Sequence, residues 1–126
     1  KVSSDYKYIQ VSVRRSLFNR NLSGTLFGGT MFSAADPFYA LMYWQNFAHQ
    51  YKQKVRVWLK AADIKYKRPA NKDMFLDFKL TQDDIEQAKH ALETSGKFNK
   101  EHEVELKDKH GDVYASVKLI VYVGLP

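Results

Sequence analysis

From Thr30 to about Gln50 the apolar residues Met31, Phe32, Ala34, Ala35, Phe38, Tyr39, Leu41, Met42, Trp44 and Phe47 fall on nearly every side of a helical wheel. A surface helix keeps a polar face in water, so a helix that is apolar all round belongs inside something. The rest of the chain must therefore supply a wrapping. Pro37 interrupts the run: it either kinks one long helix by removing a hydrogen bond or, with Asp36 as cap, starts a new one. One kinked helix is the expectation. Ser33, Asp36, Pro37, Gln45 and Asn46 break the run chemically and argue against a membrane span.

The wrapping reads as strands. Ile9, Val11 and Val13 alternate with Gln10, Ser12 and Arg14, the period-two signature of a half-buried strand over roughly residues 7–15. Residues 17–29 break the pattern with Asn19, Asn21, Ser23, Gly24, Gly28 and Gly29, a composition suited to a loop. After the helix, Val55 to Arg68 is apolar at odd numbers up to Ala61 and at even numbers from Ala62, a phase change that predicts a β-bulge or bend. Met74, Leu76, Phe78 and Leu80 mark another strand beyond Pro69-Ala70-Asn71, and the two read as a hairpin. Thr81 and Asp84 resemble a capping box. Ile85, Ala88 and Leu92 then line one face of a peripheral helix that Ser95-Gly96 ends. Phe98, His102, Val104 and Leu106, the His110-Gly111-Asp112 turn, and Val113 to Val123 form a closing hairpin.

A chain of 126 residues is the size of one domain, so residues 1–126 are read as a single unit. Short connections favour antiparallel pairing, and five to six antiparallel strands curved around one long helix give an α+β fold. The absence of cysteine excludes a disulfide framework, a thiolate zinc site and a cysteine nucleophile. The formal charge of +6 suits a polyanionic partner without choosing one. No signal-peptide pattern opens the chain, which makes the cytoplasm the default location.

Asp36 is the only ionisable group between Gly28 and Ala48. Burying a lone carboxylate costs several kcal/mol, a raised pKa is the usual relief, and such carboxylates serve general-base catalysis. A solvated or backbone-bonded helix cap before Pro37 is the plainer alternative. The segment ahead of Asp36 adds to the case: Asn21, Gly24-Thr25 and Gly28-Gly29 precede it, with Asp36 eight residues beyond Gly28.

This spacing resembles the hot-dog-fold thioesterases of the phenylacetate-pathway class. Phe27-Gly28-Gly29 with Asp36-Pro37-Phe38-Tyr39 is similar to an uncharacterised, acetyltransferase-associated branch, over Ile9 to Val123. Two positions depart from the better-studied enzymes: Phe27 stands where they have histidine, and Pro37 follows the acid where they keep a helical N–H. The resemblance implies hydrolysis of acyl thioesters, with the Gly28 N–H as oxyanion donor, Asp36 as base or nucleophile and Asn21 orienting one of them. It places the site between two subunits, Asp36 of one facing the Gly28 loop of the other, and so implies a homodimer or a dimer of dimers.

Phe27, Gly29, Thr30 and Ser33 are expected to line the substrate site, part of the aromatic stripe Phe38, Tyr39, Tyr43, Trp44 and Phe47 lines an acyl tunnel or is core, and Lys65, Lys67 and Arg68, with Lys72, are positioned to meet coenzyme A phosphates. The bland reading of these lysines is protection of a strand edge. No resident cofactor is expected, coenzyme A being part of the substrate; an acyl-carrier thioester is the other form of substrate. His49, His90, His102 and His110 have no metal or triad context, and neither a metal site nor a serine hydrolase is expected. Alternation in Lys65-Tyr66-Lys67 puts aromatic and basic groups on opposite faces, which disfavours nucleic acid. A non-catalytic acyl-ligand-binding module is the alternative function; hydration or dehydration chemistry lacks its histidine beside the acid.

Overall fold

Alternation along the strands decides which face of the sheet is dry. A computed structural model describes residues 1–14, 36–69 and 72–126. It contains β1 (Tyr8–Val13), α1 (Phe38–Tyr51), β2 (Arg56–Tyr66), β3 (Met74–Lys79), α2 (Gln82–Ser95), β4 (Lys97–Lys107) and β5 (Val113–Gly124). The strands form one antiparallel sheet in the order β1-β3-β4-β5-β2. On its inner face Ile9, Leu76, Phe78, Val104, Leu119 and Val121 are at most 3% exposed, and they pack with Met42, Tyr43 and Phe47 of α1 into one core.

The phase change in β2 is a β-bulge between Leu59 and Ala61. Before it, Val57 and Leu59 pair with buried Val123 and Val121; after it, Ala62 and Ile64 pair with buried Leu119 and Val117. One extra residue keeps the apolar set on the inner face.

The expected β2–β3 hairpin does not form. β2 pairs with β5 and lies at the far edge, whereas β3 lies between β1 and β4. Ten residue pairs against the apolar row of β5 outweigh the local closure that a six-residue partner offers. β4 and β5 form the closing hairpin as read.

α1 also departs from the reading. The described helix begins at Phe38, and Asp36 and Pro37 lie in a bend before it, so no single helix runs through Pro37. Proline provides no N–H for the preceding turn and disfavours helical backbone in the residue before it. Residues 30–35 lie outside the described part. Nor is the helix covered all round: Tyr39, Met42, Tyr43, Asn46 and Phe47 are buried, while Leu41 is 37% and Trp44 48% exposed. Buried Asn46 donates to the carbonyls of Tyr6 (3.1 Å) and Met42 (2.8 Å), tying α1 to the chain ahead of β1.

α2 matches its reading at both ends. Asp84 N donates to Thr81 Oγ1 at 3.0 Å and Thr81 N to the Asp84 carboxylate at 3.1 Å. Gly96, at φ 79°, takes the left-handed turn that closes the helix.

Candidate active site at the start of α1

The start of α1 is built without a side-chain cap. Its N-cap residue is Pro37 (φ −85°, ψ −10°), no side chain accepts from the first turn in the capping position, and no acidic residue occupies that turn. The first helical bond, Leu41 N to Pro37 O, is 3.1 Å. Asp36 is therefore not the helix cap; it sits half-buried in the bend immediately before it. The initial amides of a helix have no carbonyl partners within it and carry a partial positive charge. A carboxylate there is held near the end of the helix that favours negative charge.

Three aromatic side chains fix the height of this turn above the sheet. Tyr39 stacks on His102 with ring centroids 4.1 Å apart and 13° between planes, and meets Phe78 edge-on at 5.3 Å. Phe38 packs on Phe78 at 5.2 Å. One turn later the Tyr43 hydroxyl and His102 Nε2 are hydrogen-bonded at 2.8 Å. Burial pushes the His102 pKa down to about 4, the charges of Asp84 and Lys100 acting in opposite directions on it. Burial likewise raises both tyrosines. The cluster is neutral at pH 7. His102 went unremarked in the sequence beyond its strand; its parity with Val104 and Leu106 was the signal that it points inward.

Register locates the site on the sheet. His102 pairs with Leu119, and Leu119 with Ala62. Asp36, one turn before Tyr39, thus lies at the end of the sheet toward which β2 runs beyond Ala62. On that stretch the inner-facing Ala62 and Tyr66 are exposed, Tyr66 by 54%, and Ile64 is half-buried, on the same side of the sheet as α1.

The basic trio follows on the same strand. Lys65 is exposed opposite Ser116, and Lys67 is exposed just past β2. Arg68 is engaged locally: its guanidinium lies 4.5 Å from the Tyr114 ring centroid and its Nε donates to Val113 O at 3.2 Å. Lys72 lies 3.7 Å from the buried carboxylate of Asp108. Of the aromatic stripe, Tyr39, Tyr43 and Phe47 are core, Phe38 is half-buried and Trp44 is exposed. Asn21, Phe27, Gly28, Gly29, Thr30 and Ser33 lie outside the described residues.

Residues 1–123 match a family described as a domain of unknown function, DUF4442. The chain belongs to this family. No curated protein matches it. Among solved structures it resembles a protein of unknown function from Pseudomonas aeruginosa described as a probable thioesterase. That likeness has a TM-score of 0.83 at 20% identity and covers 94% of this chain and 76% of the other. A Streptococcus mutans protein solved with acetyl CoA aligns at TM-score 0.68 and 15% identity, over 98% of this chain and 87% of its own. The E. coli PaaI protein of the phenylacetic acid degradation operon aligns at TM-score 0.65 and 12% identity, over 95% and 74%. The five-stranded antiparallel sheet with its helices is thus a hot-dog fold, shared with these proteins. Among the described residues no helix is long and apolar enough to cross a membrane.

Proposed function

We propose that this chain hydrolyses acyl thioesters at the start of α1. The observation that carries the reading is the half-buried Asp36 beside a helix N-terminus whose N-cap residue, Pro37, has no capping side chain, on a fold shared with proteins described as thioesterases. In the proposed reaction Asp36 takes a proton from water as the water oxygen bonds to the thioester carbon, or attacks that carbon itself. The Gly28 N–H donates to the developing oxyanion and Asn21 orients the acid or the water. In the base route the tetrahedral intermediate then expels the thiolate, which takes the proton held by Asp36 and leaves as thiol, and the acid gives its own proton to solvent and departs as carboxylate. In the nucleophilic route the thiolate takes its proton from solvent, and water then cleaves the acyl-Asp36 anhydride, freeing the acid and returning the Asp36 carboxylate. Phe27, Gly29, Thr30 and Ser33 line the reacting end, and the inner face of β2 at Ala62 and Ile64 receives the acyl chain. Acetyl CoA on the S. mutans protein supports coenzyme A thioesters as one substrate class.

The same reading makes the active unit a homodimer, with a dimer of dimers as its larger form, working in the cytoplasm without a resident cofactor. Two features support pairing: β2 is an edge strand of 11 residues, and Leu41 and Trp44 expose apolar surface on the helix that packs beside it.

The test is thiol release from short, medium, long and aromatic acyl-coenzyme A esters, with Asp36→Ala in parallel. A fall in kcat of at least about 100-fold with fold and oligomer intact is expected, within the range a general base contributes. Activity that survives in the variant removes Asp36 from the mechanism. Ligand binding without turnover in either protein identifies a binding module, the reading that Pro37 favours by removing an amide next to the acid.

A further inference from the structure

Apart from tyrosines, the buried polar side chains among the described residues are Asn46, His102 and Asp108. Asp108 serves its own turn, accepting from the amides of His110 (2.9 Å) and Asp112 (3.0 Å). The other two both act on α1. Asn46 lies in the second half of the helix and ties that half, through the Tyr6 carbonyl, to the chain ahead of β1. His102 reaches the first half from β4.

The inner face of β4 needs no imidazole to stay dry. Val104 and Leu106 share that face and are buried, and an aliphatic residue in their line would fill the space with no polar group to satisfy. What the imidazole adds is direction. Its face lies on the Tyr39 ring and its Nε2 meets the Tyr43 hydroxyl, and these two residues, four apart in sequence, lie on one side of α1 one turn from each other. An aliphatic contact lets a helix slide or rotate by fractions of an ångström, whereas a hydrogen bond and a stacked ring together narrow both movements. The start of α1 has no local device for this, because its N-cap residue is Pro37 and its first turn holds no acid. Asp36 stands three residues ahead of Tyr39, so whatever places that ring places the acid. The hydrolysis proposed above assigns no step to His102.

We propose that His102 is a positioning residue: by stacking on Tyr39 and bonding Tyr43 it fixes the first turn of α1 on the sheet and holds Asp36 in line with the reacting carbon. This rests on the thioester reading above and adds a residue that acts through the helix and not on the substrate. Proton transfer and nucleophilic attack both depend on that placement, and a displacement of about 1 Å can lower the rate about 100-fold.

The experiment measures kcat and KM in the parent chain, His102→Leu, His102→Gln, Tyr43→Phe and Asn46→Ala, with the acyl-coenzyme A ester that the parent turns over fastest, at a temperature where every chain is folded. In His102→Leu kcat should fall at least about tenfold with KM within about twofold. Tyr43→Phe keeps the ring and loses the bond, and its kcat should fall about threefold or more. His102→Gln keeps a hydrogen-bonding partner for Tyr43 and should recover part of the loss. Asn46→Ala removes a buried bond from the other half of the helix, and its kcat should stay within about twofold of the parent. Amide exchange gives a readout without turnover. The Leu41 N–H makes the first bond of the helix, to Pro37 O, and its exchange should quicken at least about tenfold in His102→Leu relative to amides in the second half of α1. Unchanged kcat in both His102→Leu and Tyr43→Phe, or an equal loss in Asn46→Ala, overturns the proposal. If His102→Leu does not fold, His102→Gln and Tyr43→Phe carry both readouts. A parent chain that hydrolyses no thioester sinks the reading of Asp36 alone; the exchange of Leu41 then decides whether His102 holds this turn, and even exchange along α1 overturns that too.

Discussion

The two helices of this chain are 14 residues each and are specified in opposite ways. α2 is written locally: a reciprocal cap at Thr81 and Asp84, two acids in its first turn, an apolar line of Ile85, Ala88 and Leu92, and a glycine to end it. α1 has neither a capping side chain nor a first-turn acid, and its closing residue, Lys52, adopts the left-handed conformation at φ 51° where glycine is usual. It forms because Met42, Tyr43 and Phe47 have nowhere else to be dry. Local signals determine where α2 begins and ends; burial determines that α1 exists, with Pro37 in the N-cap position beside Asp36.

Phe47→Ala tests this most severely. Phe47 is fully buried, and its loss should cost about 3–5 kcal/mol in denaturant unfolding, whereas Trp44→Ala on the exposed face of the same helix should cost about 1 kcal/mol or less. Equal costs would mean that α1 is not held by its buried face.

The next effect is pH-dependent. His102 has a folded pKa of about 4, below its unfolded value, so the unfolded chain binds more protons between the two. Stability from the neutral ring is complete above about pH 6.5 and declines as pH falls toward 4, by up to about 3 kcal/mol. His102→Gln should flatten that part of the stability–pH curve, measured by urea unfolding at several pH values; an unchanged slope would assign the acid sensitivity elsewhere.

The smallest effects concern the helix ends. Thr81→Ala should lower stability by about 1 kcal/mol, and Lys52→Gly should raise it by up to about 1 kcal/mol, through relief of the left-handed backbone. Thermal unfolding of the pair decides whether α2 depends on its cap and α1 carries a correctable strain.

The same division explains what could be read in advance. The limits of α2, the bulge in β2 and the β4–β5 hairpin depend on neighbours in sequence and were legible. The partner of β2 was not, because Val57 and Leu59 find Val123 and Val121 across more than 60 residues, and alternation names a face without naming the strand beside it. Trp44 looked like core for a related reason: periodicity shows that a helix is apolar, not how much of it a single chain can cover. Asp36 stood out as a lone acid, yet whether it lay in a helix, a cap or a bend turned on the backbone at Pro37. His102 was hidden because a buried histidine held by a tyrosine 59 residues away leaves only a parity signal.

The bulge beside Lys60 also sets how this strand tolerates changes in its length. Elsewhere in β2 the loss of one residue would turn every later side chain over, sending apolar groups into water and cations toward the core. At Lys60 the extra residue already separates two apolar sets of opposite phase, so a deletion there would join them into one unbroken alternation. Descendants of this sequence can shorten β2 at that point, and the strand would lose its local bend while keeping its faces.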